Sequence, residues 1–334
     1  MGFIFILIAP SWQWMLLALS VSQIPYALVG PSFSAFIAEN STEGNRGRVY
    51  GLTDTIYQIV GLVGPPLGGL LAGAYGFKPM IFVATLFYTA AAALRIWMAH
   101  TMHSPGEREA QELTLSSFKK SLLMIAAILV GGGVITWIFI TDGVRDIAFR
   151  MSGELEPLYL QQVIGLSLQQ IGLLGSFFAA AMMLTPVLSG KLADRYGERV
   201  PISGGFLIMF AAFMVFLQAD AYPAFILTWA LFGVGVGLLS PAYQSLISKI
   251  VPQQSLGAFT GLFYGSMGFV SLPAPWLGAQ LWERFNPRLP FLITAIVSLL
   301  SVIPVWFKFK LPEQPLAESA SAPEPSAADS NSDL

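Results

Sequence analysis

Apolar residues in this chain run unbroken for about twenty positions at a time, and short polar stretches carrying most of the charge separate the runs. In order, the runs cover 12–38, 49–73, 79–99, 121–141, 168–189, 200–218, 222–247, 257–281 and 289–307, with an apolar stub over 1–8 in front. A helix rises about 1.5 Å per residue, so roughly 20 apolar residues cross a hydrocarbon core about 30 Å thick. A membrane β-barrel would instead alternate apolar and polar residues over segments of about ten, a pattern these runs lack. The pattern therefore predicts nine transmembrane helices in an all-α integral membrane protein.

The spans repeat. At a constant offset of 210, Pro31 matches Pro241, Gly47 matches Gly257, Gly51 matches Gly261, Pro65 matches Pro275 and Gly68 matches Gly278. The same shift places the counterpart of the 200–218 span at the apolar stub. A complete pair of halves would hold six helices each, so the expectation is an N-terminally truncated chain lacking two helices and most of a third. The units expected are 1–99, the rest of a first bundle, a connecting loop at 100–120, a six-helix second bundle at 121–310, and a tail at 311–334. That tail is rich in Pro, Ala, Ser, Glu and Asp without apolar period, and it reads as disordered and acidic. Of the 17 Lys and Arg residues, twelve fall on one side of the predicted topology: Arg46, Arg48, Arg95, Arg108, Lys119, Lys120, Lys191, Arg195, Arg199, Lys249, Lys308 and Lys310. The positive-inside rule makes that side cytoplasmic, with the 100–120 loop and the C-terminus on it.

Composition agrees with the span reading: 55% of residues are hydrophobic and 11% charged, against about 25% charged in a soluble domain. A net charge of −2 without a basic face gives no basis for binding nucleic acid. The chain has no cysteine and only His100 and His103, three apart in a polar loop, so neither a metal site nor a cofactor is expected. With no nucleophile and base pair and no phosphate loop, an enzyme is not expected either.

Two segments carry a resemblance to a known family. Gly190-Lys191-Leu192-Ala193-Asp194-Arg195-Tyr196-Gly197-Glu198-Arg199, read as a short loop between spans, is similar to the G-x-L-A-D-R-x-G-R-K loop of major facilitator superfamily transporters. Glu198 stands where that pattern is basic. The glycines suit a tight turn, and Asp194 suits the N-terminus of a neighbouring helix. In that family the loop is a conformational latch, a role the resemblance implies for Gly190, Asp194, Arg195, Gly197 and Arg199. Gly51, Gly64, Pro65, Gly68 and Gly69 resemble the G-x8-G-x3-G-P-x2-G-G pattern of the superfamily's exporters, with Val60 in place of its second glycine. Glycines let helices approach closely, and Pro65 and Pro66 remove backbone donors where a gate could bend. Leu19 departs from the family, which often has an arginine there.

Polar side chains inside apolar runs are the remaining candidates for chemistry. Gln23, Tyr26, Tyr243 and Gln244 offer hydrogen-bonding groups to a substrate, or to one another across helices. Asp54 lies about two turns into its span, where an ionisable group is costly unless functional or hydrated near the interface. Asp142, Asp146, Arg150 and Glu154 fall four apart and share one helical face, with Arg145 beside them. A helix starting near Val130 puts this stripe inside the bundle; one starting at Ser121 makes it an exposed extension, and the full apolar span 121–140 favours the exposed reading. The resemblance implies an alternating-access transporter, acting as a monomer in the lipid bilayer of the cell membrane. A small-molecule substrate and a coupling proton are the partners expected. Proton-coupled efflux of small hydrophobic compounds is the preferred activity. Uptake of a sugar, peptide or organic acid, and a non-transporting membrane fragment, are the alternatives.

Overall fold

The computed structural model describes residues 2–8, 10–11, 13–15, 17–19, single positions from 21 to 41, and then 45–101, 133–251 and 253–310. The described residues form helices and no strand. We number the helices α1 (Gly2–Ile8), α2 (Arg46–Tyr75), α3 (Phe77–Thr101), α4 (Val134–Gly153), α5 (Glu156–Gln162), α6 (Leu168–Leu184), α7 (Pro186–Tyr196), α8 (Arg199–Gln218), α9 (Tyr222–Ile250), α10 (Gln253–Val270), α11 (Ala274–Arg284) and α12 (Leu289–Lys308). Six helices, with α6 and α7 taken together, are long and apolar enough to cross a membrane among the described residues. They coincide with the runs at 49–73, 79–99, 168–189, 200–218, 222–247 and 289–307. Most of the 12–38 run, residues 102–132 and the 311–334 tail lie outside the described residues.

Local chemistry sets where these helices stop and start. Ser167 caps α6: its hydroxyl accepts from the Gln170 N–H while the Gln170 side chain accepts from the Ser167 N–H, satisfying two donors that a helix start leaves unpaired. Pro186, lacking an N–H, opens α7 directly after Thr185, so the predicted 168–189 span is two helices in series. The span predicted at 257–281 is also divided. Pro65 and Pro66 are accommodated inside the continuous α2, whereas the chain breaks between α10 and α11. At the offset of 210, the first half has Val63 where the second has Pro273. The prolines of α2 are adjacent, whereas Pro273 and Pro275 stand two apart, and each of these removes a backbone donor from the turn after α10. Three-residue turns replace helical bonds there, Leu272 N–H to the Phe269 carbonyl and Ala274 N–H to the Ser271 carbonyl.

α9 is wedged between α6 and α8, and its glycines explain how. Gly233 and Gly237, four apart and hence on one face, meet the α6 end: a methyl on Gly233 would collide with the Phe178 carbonyl, and one on Gly237 would lie 2.8 Å from Thr185 Cβ. Gly235, on the other face, meets α8, where added carbons would fall 2.6 Å from Met209 Sδ and, on Gly205, 2.6 Å from Leu239 Cγ. Lipid supplies little hydrophobic drive between helices, so close backbone approach and dispersion take its place. Large aromatics fill what remains. Phe216 of α8 stacks at 4.8 Å on Phe291 of α12 and at 5.1 Å on Tyr159 of α5, which seats the short α5 across the end of the bundle. α4 closes the other flank against α12, where the Thr294 hydroxyl donates to the Ala148 carbonyl at 2.7 Å.

Replacing Gly233 by Ala drives a methyl into α6 backbone, and we expect a loss of about 1–3 kcal/mol from overpacking. Gly204, with open space around it, should accept Ala with unchanged or slightly raised stability, since Ala is the better helix former by roughly 1 kcal/mol. Thermal unfolding of the two variants in mild detergent compares them directly.

Candidate functional site

Three groups of residues bear on function, and they lie at different levels of the bundle. The first is an ionisable cluster on α4. Asp142 is 5% exposed, about 16 Å along the helix axis from the Gly153 end. Burial corrects the exposed reading at the Asp142 end of this stripe: the described part of α4 packs on α10, α11 and α12, so Thr141, Asp142 and Gly143 face protein, whereas Arg150 and Glu154 are exposed. Arg145 lies 2.9 Å from Asp142 Oδ1, and its guanidinium sits 5.6 Å from the centre of the Tyr243 ring on α9. Asp146 accepts from Arg150 Nε at 2.8 Å and from the Ser271 hydroxyl on the α10–α11 turn. Glu154 caps α4 beyond its last turn and is exposed, so the predicted face of four charged residues ends at Arg150.

Burial of an ion in this setting is tolerated only with partners, and the partnering here is incomplete. The Asp142–Arg145 contact is close, but no N–H is aligned on Asp142 Oδ1. That oxygen, the Tyr243 hydroxyl, Thr141 Oγ1 and Ser203 Oγ are the buried side-chain polar atoms without a hydrogen-bond partner among the described residues. The Arg145 guanidinium thus lies between Asp142 Oδ1 and the face of the Tyr243 ring. Gln244 points away: it is exposed, and its amide approaches Ser240 at 3.5 Å. The structure thus brings Tyr243 to Arg145 and leaves Gln244 out. Gln23, Tyr26 and the Asp54 side chain lie outside the described residues.

The second group is a crossing of α2 with α6, which joins the two sequence repeats. Gly69 lies against Gly172, with 3.2 Å from its added methyl to the Gly172 Cα, and Pro65 packs on Gly175, where a methyl would be 2.8 Å from Pro65 Cβ. The Ser176 hydroxyl donates to the Leu62 carbonyl at 2.6 Å, the acceptor freed because Pro66 has no N–H to return to it. The contact runs from Gly73 beside Gln169 to Gly61 beside Ala179. Gly51 and Gly64 have no neighbour within 4 Å, and Gly68 touches only Met80 of α3. Pro65 and Gly69 therefore make the crossing, and the other three motif glycines do not. Gly172, Gly175 and Ser176 were missed by sequence reading, although a Gly-x2-Gly-Ser series on a span is a small-residue face that could have flagged them.

The third group is the corner expected to be a loop. Gly190, Asp194 and Arg195 are instead within α7, and only Gly197 and Glu198 link it to α8. The correction has a simple cause. One residue with positive φ, Gly197 at 83°, turns the chain, and its N–H still bonds the Ala193 carbonyl at 2.8 Å, so no longer loop is needed. Asp194 is exposed and forms no ion pair or hydrogen bond among the described residues; Arg195 lies over Tyr196 at 5.2 Å. Arg199 covers Trp306 of α12 at 5.0 Å. The residue that departs from the expected pattern holds the corner: Glu198, 5% exposed, accepts from Ser245 Oγ at 2.9 Å and from Lys249 Nζ, both at the end of α9. Burial by itself raises the Glu198 carboxyl, but hydrogen bonds from Lys249, the backbone and Ser245, with the Lys249 charge, outweigh it and hold the group below its ordinary value. Among the described residues, no group of His, Cys, Asp and Glu could hold a metal.

A family model described as Major Facilitator Superfamily matches residues 1–153 and 138–331. Among curated proteins, a multidrug resistance efflux pump PmrA homolog of Lactococcus lactis is 25% identical over 297 residues, covering 82% of this chain and 70% of that protein. The multidrug resistance protein MdtG of Escherichia fergusonii is 26% identical over 333 residues, 94% of this chain and 76% of its own length. Among solved structures, a bacterial homolog of the human lysosomal transporter Spinster, inward-facing and occupied, aligns with a TM-score of 0.64 at 15% identity over 91% of this chain and 78% of that one. A D-xylose-proton symporter aligns with a TM-score of 0.52 at 15% identity over 82% and 66%. These two structural likenesses concern the fold alone.

Two substitutions test the geometry. Gly172→Leu places a branched side chain against the Pro65 carbonyl and Gly69, so α2 should detach from α6 and limited proteolysis between the repeats should quicken. Glu198→Gln removes a buried charged partner of Lys249, and its cost should depend on pH. Because the folded-state value is depressed, the carboxylate stabilises fully above the ordinary value of 4.5 and less as pH falls through the lower folded value. The difference in melting temperature between native protein and variant should thus be present at neutral pH and shrink on acidification; a difference that grew in acid would contradict the assignment.

Proposed function

The chain belongs to the major facilitator superfamily, and on that premise we propose that it exports small, largely hydrophobic compounds by alternating access, driven by a proton gradient. It is a multi-pass membrane protein and a secondary transporter, not an enzyme. Residues 1–99 and 121–310 act as two bundles that rock about a site between them, as a monomer in the lipid bilayer. The bias of twelve among 17 basic residues to one side orients the α7–α8 corner, the 100–120 connection and the 311–334 tail toward the cytoplasm of a plasma membrane.

The observation that carries this reading is the buried Asp142 Oδ1, without a hydrogen-bond partner beside Arg145, whose guanidinium also lies over the Tyr243 ring. A buried carboxylate beside one imperfectly aligned arginine has two forms open to it, ionised and paired or protonated and neutral. That pair of forms suits it to take up and release a proton as the access of the site changes. The aromatic and aliphatic surroundings, Phe139, Phe259 and Phe263 among them, match a lipophilic substrate with few polar contacts to make. Export is favoured by the Pro65–Gly69 segment, whose seat on α6 supplies a close contact between the repeats that a rocking motion must open. The multidrug resistance named for both relatives, with efflux named for the Lactococcus lactis protein, points the same way.

Accumulation of a lipophilic fluorescent cation by an efflux-deficient bacterial host tests the proposal. Expression should lower accumulation, collapse of the proton gradient should abolish the effect, and Asp142→Asn should insert normally yet lose most of the pH dependence. Raised accumulation would mean uptake. Full pH-dependent export by Asp142→Asn would remove Asp142 from coupling.

A further inference from the structure

Where α10 gives way to α11, one hydroxyl has two acceptors. Ser271 is wholly buried on the turn between the helices. Its Oγ lies 2.6 Å from the Met267 carbonyl oxygen and in contact with Asp146 Oδ2 of α4. A serine hydroxyl has a single proton and can give it fully to one acceptor at a time. The Met267 carbonyl already accepts the Ser271 N–H at 2.9 Å, so a hydroxyl bond there merely reinforces the last turn of α10, as back-bonded serines do. The bond to Asp146 instead crosses to another helix, and an ionised acceptor makes it the stronger of the two.

The surrounding contacts put this hydroxyl at a pivot. On one side of the break, Met267 Sδ lies 3.6 Å from the position a methyl on Gly143 would take; on the other, Gly278 of α11 packs on the backbone of Met151. Gly143, Asp146 and Met151 of α4 thus face Met267, Ser271 and Gly278 in order. The two outer contacts are apolar and indifferent to charge. The middle one crosses the segment where Pro273 and Pro275 have removed the helical bonds, leaving three-residue turns to hold the bend.

We propose that Ser271 is a positioning residue through which the charge on Asp146 sets the bend between α10 and α11. With Asp146 ionised, the hydroxyl clamps the break to α4. With Asp146 protonated, the hydroxyl turns to Met267, and the break is free to change its angle about the two apolar contacts. The inference rests on the proton-coupled reading above and adds a second carboxylate, Asp146, one turn beyond Asp142, as the group whose charge moves the break. The charged groups around Asp146 on its own helix are Asp142, Arg145 and Arg150, and α9 brings the Tyr243 ring to Arg145. The only ionisable side chain in α10 is Tyr264, which is exposed; α11 has Glu283 and Arg284 at its far end, and α12 has Lys308 at its far end over Trp137. Among the described residues, Arg150, 2.8 Å from Asp146, is therefore the one cation bound to it.

The absence of cysteine from the chain makes the test direct. Gly268→Cys, at a position with open space around it, places a single thiol one turn before the break. Its labelling by a membrane-permeant maleimide is followed in lipid nanodiscs across a pH series and divided at each pH by the labelling rate of Asp220→Cys, an exposed position between α8 and α9, which removes the thiolate's own dependence on pH. This normalised rate should change with pH by roughly tenfold, the ratio expected for one hydrogen bond to a charged group. Adding Ser271→Ala should flatten the profile, Ser271→Thr should restore it, and Asp146→Asn should hold the acid rate at every pH. An unchanged profile in Ser271→Ala, or a flat one with Ser271 intact, would overturn the proposal. Dye export is scored separately: a preserved labelling profile without export supports the clamp while removing the exporter reading.

Discussion

Lipid offers no hydrogen bonds, and the whole architecture follows from that constraint. Every peptide group in the apolar runs must find a partner within its own segment, which leaves helix as the only open-ended solution. Side-chain hydroxyls obey the same rule. Thr53, Thr85, Thr228 and Ser298 each return their proton to the carbonyl four residues earlier, so they need nothing from a neighbouring helix. With the backbone closed in this way, helices associate by shape. The glycines of α9 show the consequence: three of them, at 233, 235 and 237, set α6 and α8 at backbone distance on opposite faces of one helix.

Where the constraint is relaxed, function concentrates. Prolines at 65 and 66, at 186 and at 273 and 275 each release a carbonyl from its helical bond, and the structure answers each differently. Ser176 of α6 takes the Leu62 carbonyl near the first pair, Thr185 precedes the second as the junction of α6 and α7, and the third opens the turn at Ser271. Charges inside the bundle are the other relaxation. They are gathered on α4, next to the Ser271 turn, so the most costly side chains lie against the least regular backbone. Two elements able to hold two states, a titratable carboxylate and a helix break, share one hydroxyl.

The corner between α7 and α8 shows how a family pattern can keep its geometry while changing its chemistry. Gly197 preserves the turn, but Glu198 in a basic position reverses the local charge and recruits Lys249 from α9. A carboxylate at 5% exposure is stable there because three donors converge on it. The corner is thereby tied to the second bundle's own helices, α9 through Glu198 and α12 through Arg199 on Trp306.

Hydropathy alone determined the all-α membrane class and six of the spans within a few residues, because twenty apolar residues in a row have one stable outcome in a bilayer. The residue pattern also marked Pro65, Gly69 and the 190–199 segment, since glycine and proline have few other uses at such spacing. Tertiary structure decided the rest. Whether Asp142 was wet or buried depended on which helices cover α4, which the apolar run at 121–140 does not reveal because span length says nothing of neighbours. Tyr243 and Gln244 are adjacent and chemically alike as hydrogen-bonding groups, yet about 100° of helical rotation sends one to Arg145 and the other outward. The break at 271–273 needed both Pro273 and an acceptor on another helix. The partners of Gly172, Gly175, Ser271 and Glu198 were not legible in the sequence for a common reason: each lies more than 40 residues away, and such pairings exist only once the helices have packed.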